Sequence, residues 1–241
     1  MIAYFYALTK QIIMNINLLE FTEGAEKATG IAVIIDVFRA FSTACYLYGQ
    51  GVRELFVTGS VEEAFRFRKE NPATLLVGER NERMIDGFDF GNSPAAVIKH
   101  DLTGKTVVLT TSAGTKGLVR ASRAGRVLAA GFVNAPATAA FIREQQPDKV
   151  SLVAMGYNAV IPADEDRHCA GYIRALLTGQ EPDFPTMSNK IRTGTGARFF
   201  DPGNPNSPEE DYHLCMQPGR FPYVLEAIPA GNLIYLKKTI L

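Results

Sequence analysis

Six short runs rich in β-branched and apolar residues recur along this chain with amphipathic stretches between them, and that alternation constrains the fold more than any other feature. The runs are Ile31 to Asp36, Glu54 to Thr58, Thr74 to Glu79, Lys105 to Thr111, Arg126 to Gly131 and Lys149 to Met155, each of a length and composition that predicts a buried strand. Between them, Arg39 to Tyr48, Val61 to Glu70, Thr115 to Arg123, Asn134 to Gln146 and Asp164 to Leu177 carry apolar residues at three and four spacing, which predicts helices with one buried face. Strand and helix alternating in this way give an α/β fold, layered α/β/α, with a mostly parallel or mixed sheet and right-handed crossovers.

The pattern stops at Thr178. Pro182, Pro185, Pro202, Pro205, Pro208, Pro218 and Pro222 follow among several glycines, so residues 179–241 are read as an irregular Pro/Gly-rich C-terminal appendage packed on the main α/β domain of residues 14–178. Within it, Ser207-Pro208-Glu209-Glu210 reads as a helix start, with Ser207 as N-cap and Pro208 at the first helical position, leading to a short helix to about Met216. Residues 1–13 are read as an N-terminal extension ahead of Met14, which precedes the strand-like Asn15-Ile-Asn-Leu-Leu.

Composition narrows the partners. The 25 Lys and Arg balance 25 Asp and Glu, so the chain supplies no positive field for nucleic acid or an anionic membrane. No apolar stretch approaches the ~20 residues that span a bilayer. Three cysteines without C-x-x-C spacing argue against a disulfide framework or a thiolate zinc site and are compatible with a reducing cytoplasm. His100, His168 and His213 are too scattered for a zinc motif.

In open α/β sheets ligands bind beyond the carboxyl ends of the strands. Polar residues concentrate there: Asp36, Arg39, Ser42 and Thr43 after the first run, Glu79 and Arg80 after the third, Thr110 to Thr115 after the fourth, and Asp164-Glu165-Asp166 beyond the sixth. The segment Gly87 to Pro94, with Asn92 and Ser93, adds another polar loop. Carboxylates, arginines and hydroxyls at one sheet edge suit a hard divalent cation and an anionic substrate. Asp36 also reads as a helix cap, Thr110 to Thr115 as a plain strand-to-helix turn, and the acidic triplet as a solvated helix start.

Familiar phosphate chemistries fit poorly. Phe38 stands where a D-x-D phosphatase needs its second Asp, and four residues separate Cys169 from Arg174 where a cysteine phosphatase needs five. Gly104-Lys105-Thr106 lacks the rest of a P-loop, and Gly194-Thr195-Gly196 lacks the third glycine of a dinucleotide fingerprint.

Taken together, Ile35-Asp36-Val37-Phe38-Arg39-Ala40-Phe41-Ser42-Thr43, Gly78-Glu79-Arg80, Gly87 to Pro94, Thr110-Thr111-Ser112-Ala113-Gly114-Thr115 and Glu165 to Gly171 resemble, in order and spacing, the 2-phosphosulfolactate phosphatase family. The chain departs from that pattern at Ala113, where the family usually has Asn, and at Phe41, where a small polar residue is common.

The resemblance implies a Mg²⁺-dependent phosphoric monoester hydrolase that converts 2-phospho-3-sulfolactate to 3-sulfolactate and phosphate in coenzyme M synthesis. It also implies a small anionic phosphorylated substrate and leaves assembly into a homo-oligomer open. A mechanism that joins both readings has Mg²⁺ on a subset of Asp36, Glu79, Glu165 and Asp166, with Asp36, Glu165 and Asp166 as the expected metal set. Asp36, Arg39 and Glu79 are the expected catalytic residues. Arg80, Asn92, Ser93, Thr111, Ser112, Gly114 and Thr115 are expected to bind substrate, the N–H groups of the Thr110 to Thr115 turn cradling the anion. A phosphatase for another phosphorylated hydroxy acid and a non-catalytic anion-binding protein of the same fold are the alternatives.

Overall fold

The computed structural model describes residues 14–241, so the extension read in residues 1–13 lies outside the described residues. The strands are β1 (Asn15–Glu20), β2 (Ile31–Ile35), β3 (Glu54–Thr58), β4 (Leu75–Arg80), β5 (Arg83–Met84), β6 (Thr106–Thr110), β7 (Arg126–Ala130), β8 (Lys149–Ala154), β9 (Tyr223–Ala230) and β10 (Leu233–Ile240). The helices are α1 (Phe21–Lys27), α2 (Ala40–Gly49), α3 (Val61–Glu70), α4 (Pro94–Val97), α5 (Gly114–Arg120), α6 (Ala135–Gln145), α7 (Asp164–Leu177), α8 (Phe184–Thr193) and α9 (Glu209–Cys215). All six expected strands form, within one or two residues of the boundaries read from sequence. None of the described helices is long and apolar enough to cross a membrane.

The strands make one mixed sheet in the order β1-β8-β2-β7-β9-β10-β3-β6-β4-β5. Helices cover both faces, so β2 is buried along its whole length and reads as an unbroken apolar run. Its alternate residues still part company: Ala32 and Ile34 pack with α1, α2 and α5, whereas Ile31, Val33 and Ile35 pack with α6 and α7. Over the other half of the sheet, Ala64 of α3 packs on Leu76 and Val108.

The sequence reading missed what residues 223–240 do. Within the stretch read as irregular, β9 and β10 form an antiparallel hairpin in the middle of the sheet, β9 beside β7 and β10 beside β3. Pro222 and Pro229 obscured it, because proline counts against a central strand. Pro229 is tolerated because it lies beyond Leu225 and Glu226, the β9 residues in register with β7. Arg126 fastens that junction with a forked pair to Glu226 at 2.7 and 3.0 Å. The expected cap at Ser207 also fails. Pro208 is extended (ψ 143°), the helix starts at Glu209, and the buried Ser207 hydroxyl has no partner.

On one side of the hairpin stand four parallel strands, β7, β2, β8 and β1, and on the other three, β3, β6 and β4. The hairpin sets these blocks antiparallel to each other. Their carboxyl ends therefore leave from opposite edges of the sheet, not from the single edge the sequence reading assumed. Two residues at those ends, Asp36 after β2 and Gly114 after β6, nonetheless meet in a hydrogen bond.

Candidate active site

Asp36, the residue after β2, is the pivot. Its Oδ1 accepts from Ala40 N–H at 3.2 Å and its Oδ2 from Gly114 N–H at 2.9 Å, so one carboxylate serves the starts of both α2 and α5. The positions where those helices would carry their own caps, Arg39 and Ala113, make no side-chain cap bond. The close approach needs glycine at 114, since a Cβ there would lie 2.9 Å from both Asp36 Oδ2 and the Phe41 ring. Asp36 thus links the two antiparallel blocks directly.

Asp166, in the first turn of α7, accepts from Val37 N–H and Gly156 N–H, both at 2.8 Å, and ties the loop after β2 to the loop after β8. Gly156 turns there with φ +68°, and a Cβ would run into the Ile161 carbonyl oxygen at 2.3 Å. Glu165 accepts from the Thr195 hydroxyl. All three carboxylates are buried. Burial pushes the Asp36 carboxyl up to about 6 against its two backbone hydrogen bonds, and the charges of Glu79 and Glu165 push it the same way. Asp166 lies well above the usual carboxylate range through burial first and then the neighbouring Glu165 and Asp36. Glu165 is raised by burial, with the Thr195 hydrogen bond and the Arg198 charge pulling back.

The second block supplies the facing wall. Glu79, the penultimate residue of β4, accepts from Ser112 Oγ at 3.1 Å and Glu82 N–H at 2.9 Å. Thr111 and Thr115 share a hydroxyl hydrogen bond at 2.9 Å. Arg39 extends beside Asp36 with Nη1 on Asp211 Oδ2 at 2.6 Å, and Asp211 also accepts from Ser93 Oγ and Ala95 N–H at 2.8 Å each. Asn92 is buried with its Oδ1 unpartnered.

These walls line a small, solvent-open cleft. Of the residues expected from sequence, Asp36, Arg39, Glu79, Asn92, Thr111, Ser112, Glu165 and Asp166 line it. Four do not. Arg80 turns to the carbonyls of Glu79 and Gly59, and Ser93 caps α4 while bonding Asp211. Thr115 faces Thr111, and the Gly114 N–H expected in an anion cradle is taken by Asp36.

The sequence reading missed Asn81, Glu82, Tyr157, Asn158 and Arg198, which line the cleft along with Phe38, Ala113 and Gly156. Asn81, Glu82 and Asn158 have φ of 53°, 65° and 54°, so the cleft rim holds non-glycine residues in the sparsely populated left-handed region. The Gly156-Tyr157-Asn158 turn was the available signal; Arg198, in a short 3₁₀ turn over Thr195–Phe200, had none.

Buried carboxylates that raise one another's proton affinity suit a hard divalent cation, which would relieve their repulsion. Each oxygen of Asp36 and Asp166 keeps a lone pair beyond its backbone hydrogen bond. Among the described residues no group of three or more His, Cys, Asp or Glu is placed to hold a metal ion, so the expected set of Asp36, Glu165 and Asp166 does not come together as a three-carboxylate site.

A family model described as 2-phosphosulpholactate phosphatase matches residues 18–193. A Deinococcus radiodurans protein named probable 2-phosphosulfolactate phosphatase is 37% identical over 178 residues, covering 72% of each chain. A Thermoplasma acidophilum protein of the same name is 33% identical over 178 residues, 71% of this chain and 79% of that one. A Caldicellulosiruptor saccharolyticus protein, again so named, is 36% identical over 156 residues, 63% of this chain and 64% of its own length, just under two thirds. Arg198 and Asp211 lie outside the matched stretch, yet one lines the cleft and the other holds a residue that does.

Proposed function

This chain belongs to the 2-phosphosulpholactate phosphatase family, and from that premise we propose that it is a Mg²⁺-dependent phosphatase converting 2-phospho-3-sulfolactate to 3-sulfolactate and phosphate. The observation that carries the reading is the opposition of buried Asp36, Glu165 and Asp166 to the guanidinium groups of Arg39 and Arg198 in one small cleft. Acids and cations so arranged suit a substrate that is itself a phosphate ester.

A subset of Asp36, Glu165 and Asp166 would hold Mg²⁺, which when bound draws charge from the phosphoryl oxygens. Arg39, kept in place by Asp211, takes phosphoryl oxygens by forked hydrogen bonding. Ser112 and Asn92 present polar atoms to the same group. Glu79, on the wall facing Asp36, orients a water and accepts its proton as the oxygen attacks phosphorus. The bond from phosphorus to the ester oxygen breaks, that oxygen takes a proton from solvent and leaves as the alcohol, and Glu79 returns the proton it accepted to solvent. The missing second Asp two residues after Asp36 favours this direct attack by water over a phospho-aspartate.

Phosphate release is measured over phosphorylated sulfonic and carboxylic acids, each with and without Mg²⁺. Release that is fastest from 2-phospho-3-sulfolactate and requires the cation is expected. No release from any ester, or undiminished release after chelation, would overturn the reading.

A further inference from the structure

Arg39 and Arg198 both serve the cleft, but their counter-ions differ in a way that assigns them different work. Arg39 is paired at 2.6 Å with Asp211, which is fully buried and holds two further hydrogen bonds. Arg198 meets Glu82 by a single contact at 3.4 Å, both side chains about a quarter exposed. The Arg198 Nε is buried with no hydrogen-bond partner. Its guanidinium carbon lies 5.2 Å from the Phe199 ring centroid, 5.9 Å from that of Phe38 and 6.0 Å from that of Tyr157. Those rings flank the guanidinium of Arg198, which lines the cleft. Glu82 is held at the rim, its N–H on Glu79 Oε2 at 2.9 Å.

We propose that Arg198 is a specificity-determining residue that receives a second acid group of the substrate, a carboxylate or a sulfonate, and that Glu82 holds the guanidinium until that group displaces it. The proposal rests on the reading of the cleft as a phosphoester site. A planar acid group or sulfonate would satisfy Nε–H and one Nη–H together, which the lone long contact to Glu82 does not. A phosphate ester without a second acid leaves Glu82 in place.

Calorimetry compares glycerol 2-phosphate, 2-phosphoglycerate and 2-phospho-3-sulfolactate, a series that adds first a carboxylate and then a sulfonate. Affinities are measured in magnesium-free buffer, where hydrolysis is not needed, alongside kcat/KM with Mg²⁺. Arg198→Met keeps the stem packed on the rings and loses the charge. One of the two steps in the wild-type affinity series is expected to shrink by about 10- to 100-fold in this variant, and the step that shrinks identifies the acid held. Glu82→Gln, which frees Arg198, is expected to enlarge the same step severalfold, so the proposal stays testable if Arg198→Met misfolds. Both steps unchanged within threefold in the two variants, or a uniform loss across the series, would overturn it. Wild-type protein that binds the esters but hydrolyses none would overturn the phosphatase reading and leave the affinity comparison valid; wild-type protein that binds none would overturn both.

Discussion

Arg39 and Asp211, 172 residues apart in sequence, meet at 2.6 Å with both side chains buried, and through Asp211 the start of α4 is fastened to the same guanidinium. Breaking a buried pair leaves a charge without compensation, which costs about 3–5 kcal/mol. Asp211→Asn is therefore expected to lower stability by an amount of that order and to reduce phosphate release more than the loss of folded protein accounts for. Urea unfolding and turnover normalised to folded protein check this; normal turnover per folded molecule would remove Asp211 from the support of the cleft.

Arg39→Lys tests the fork itself. Lysine keeps the charge but cannot bridge Asp211 and a phosphoryl oxygen in one plane. A fall in kcat/KM of at least about tenfold is expected with folding largely retained, since one charge-assisted hydrogen bond is worth about 1.5–3 kcal/mol. Wild-type kinetics would make Arg39 structural alone.

The two neighbouring acids of α7 are expected to part company on neutralisation. Glu165 holds one recorded side-chain hydrogen bond, from Thr195, and Glu165→Gln should leave the metal-free melting temperature unchanged or raise it, because repulsion with Asp36 and Asp166 is relieved. Asp166 accepts two backbone N–H groups, one on each oxygen, so Asp166→Asn turns an NH₂ toward one of them and should destabilise by about 1–3 kcal/mol. Both variants should lose Mg²⁺ affinity. Unchanged Mg²⁺ affinity in both, by calorimetry, would leave the acidic triplet as a helix start only.

Stability should depend on pH with a sign unusual for carboxylates. Asp36 titrates near 3.8 unfolded and near 6 in the folded protein, so the folded form binds its proton more tightly. Its contribution is fully present below about pH 4 and is lost as pH rises through about 6, a change on the order of 3 kcal/mol. Glu165 and Asp166 are shifted in the same direction. Metal-free protein should therefore melt lower at pH 7.5 than at pH 5, and Mg²⁺, binding the ionised carboxylates, should narrow the gap. A melting temperature that rises over that range would contradict the assignment.

Six strands and five helices before residue 178 were legible because each carries a local apolar pattern, unbroken in the fully buried β2, whereas the short elements α1, β5 and α4 carry none long enough to read. Asp36, Glu79, Ser112, Glu165 and Asp166 were legible as polar residues just past those runs. Arg198 and Asp211 were not, because each acts across the fold from a segment whose local pattern says only turn or short helix. The hairpin was hidden by proline, and the antiparallel setting of the two blocks follows from where it inserts, which no local pattern carries.

A ribosome that has released residues up to 222 has already made every side chain that lines the cleft, yet the two blocks that carry them share no strand pair. They become one sheet only when residues 223–240 thread between β7 and β3, with two register pairs to each neighbour. The segment that joins the two blocks thus lines no part of the cleft. Its arrival closes long loops at once, a topology that folds slowly. Changes at Arg126 or Glu226, far from any substrate, would then surface first as a delay in gaining activity after synthesis, and only later as a defect in the finished molecule.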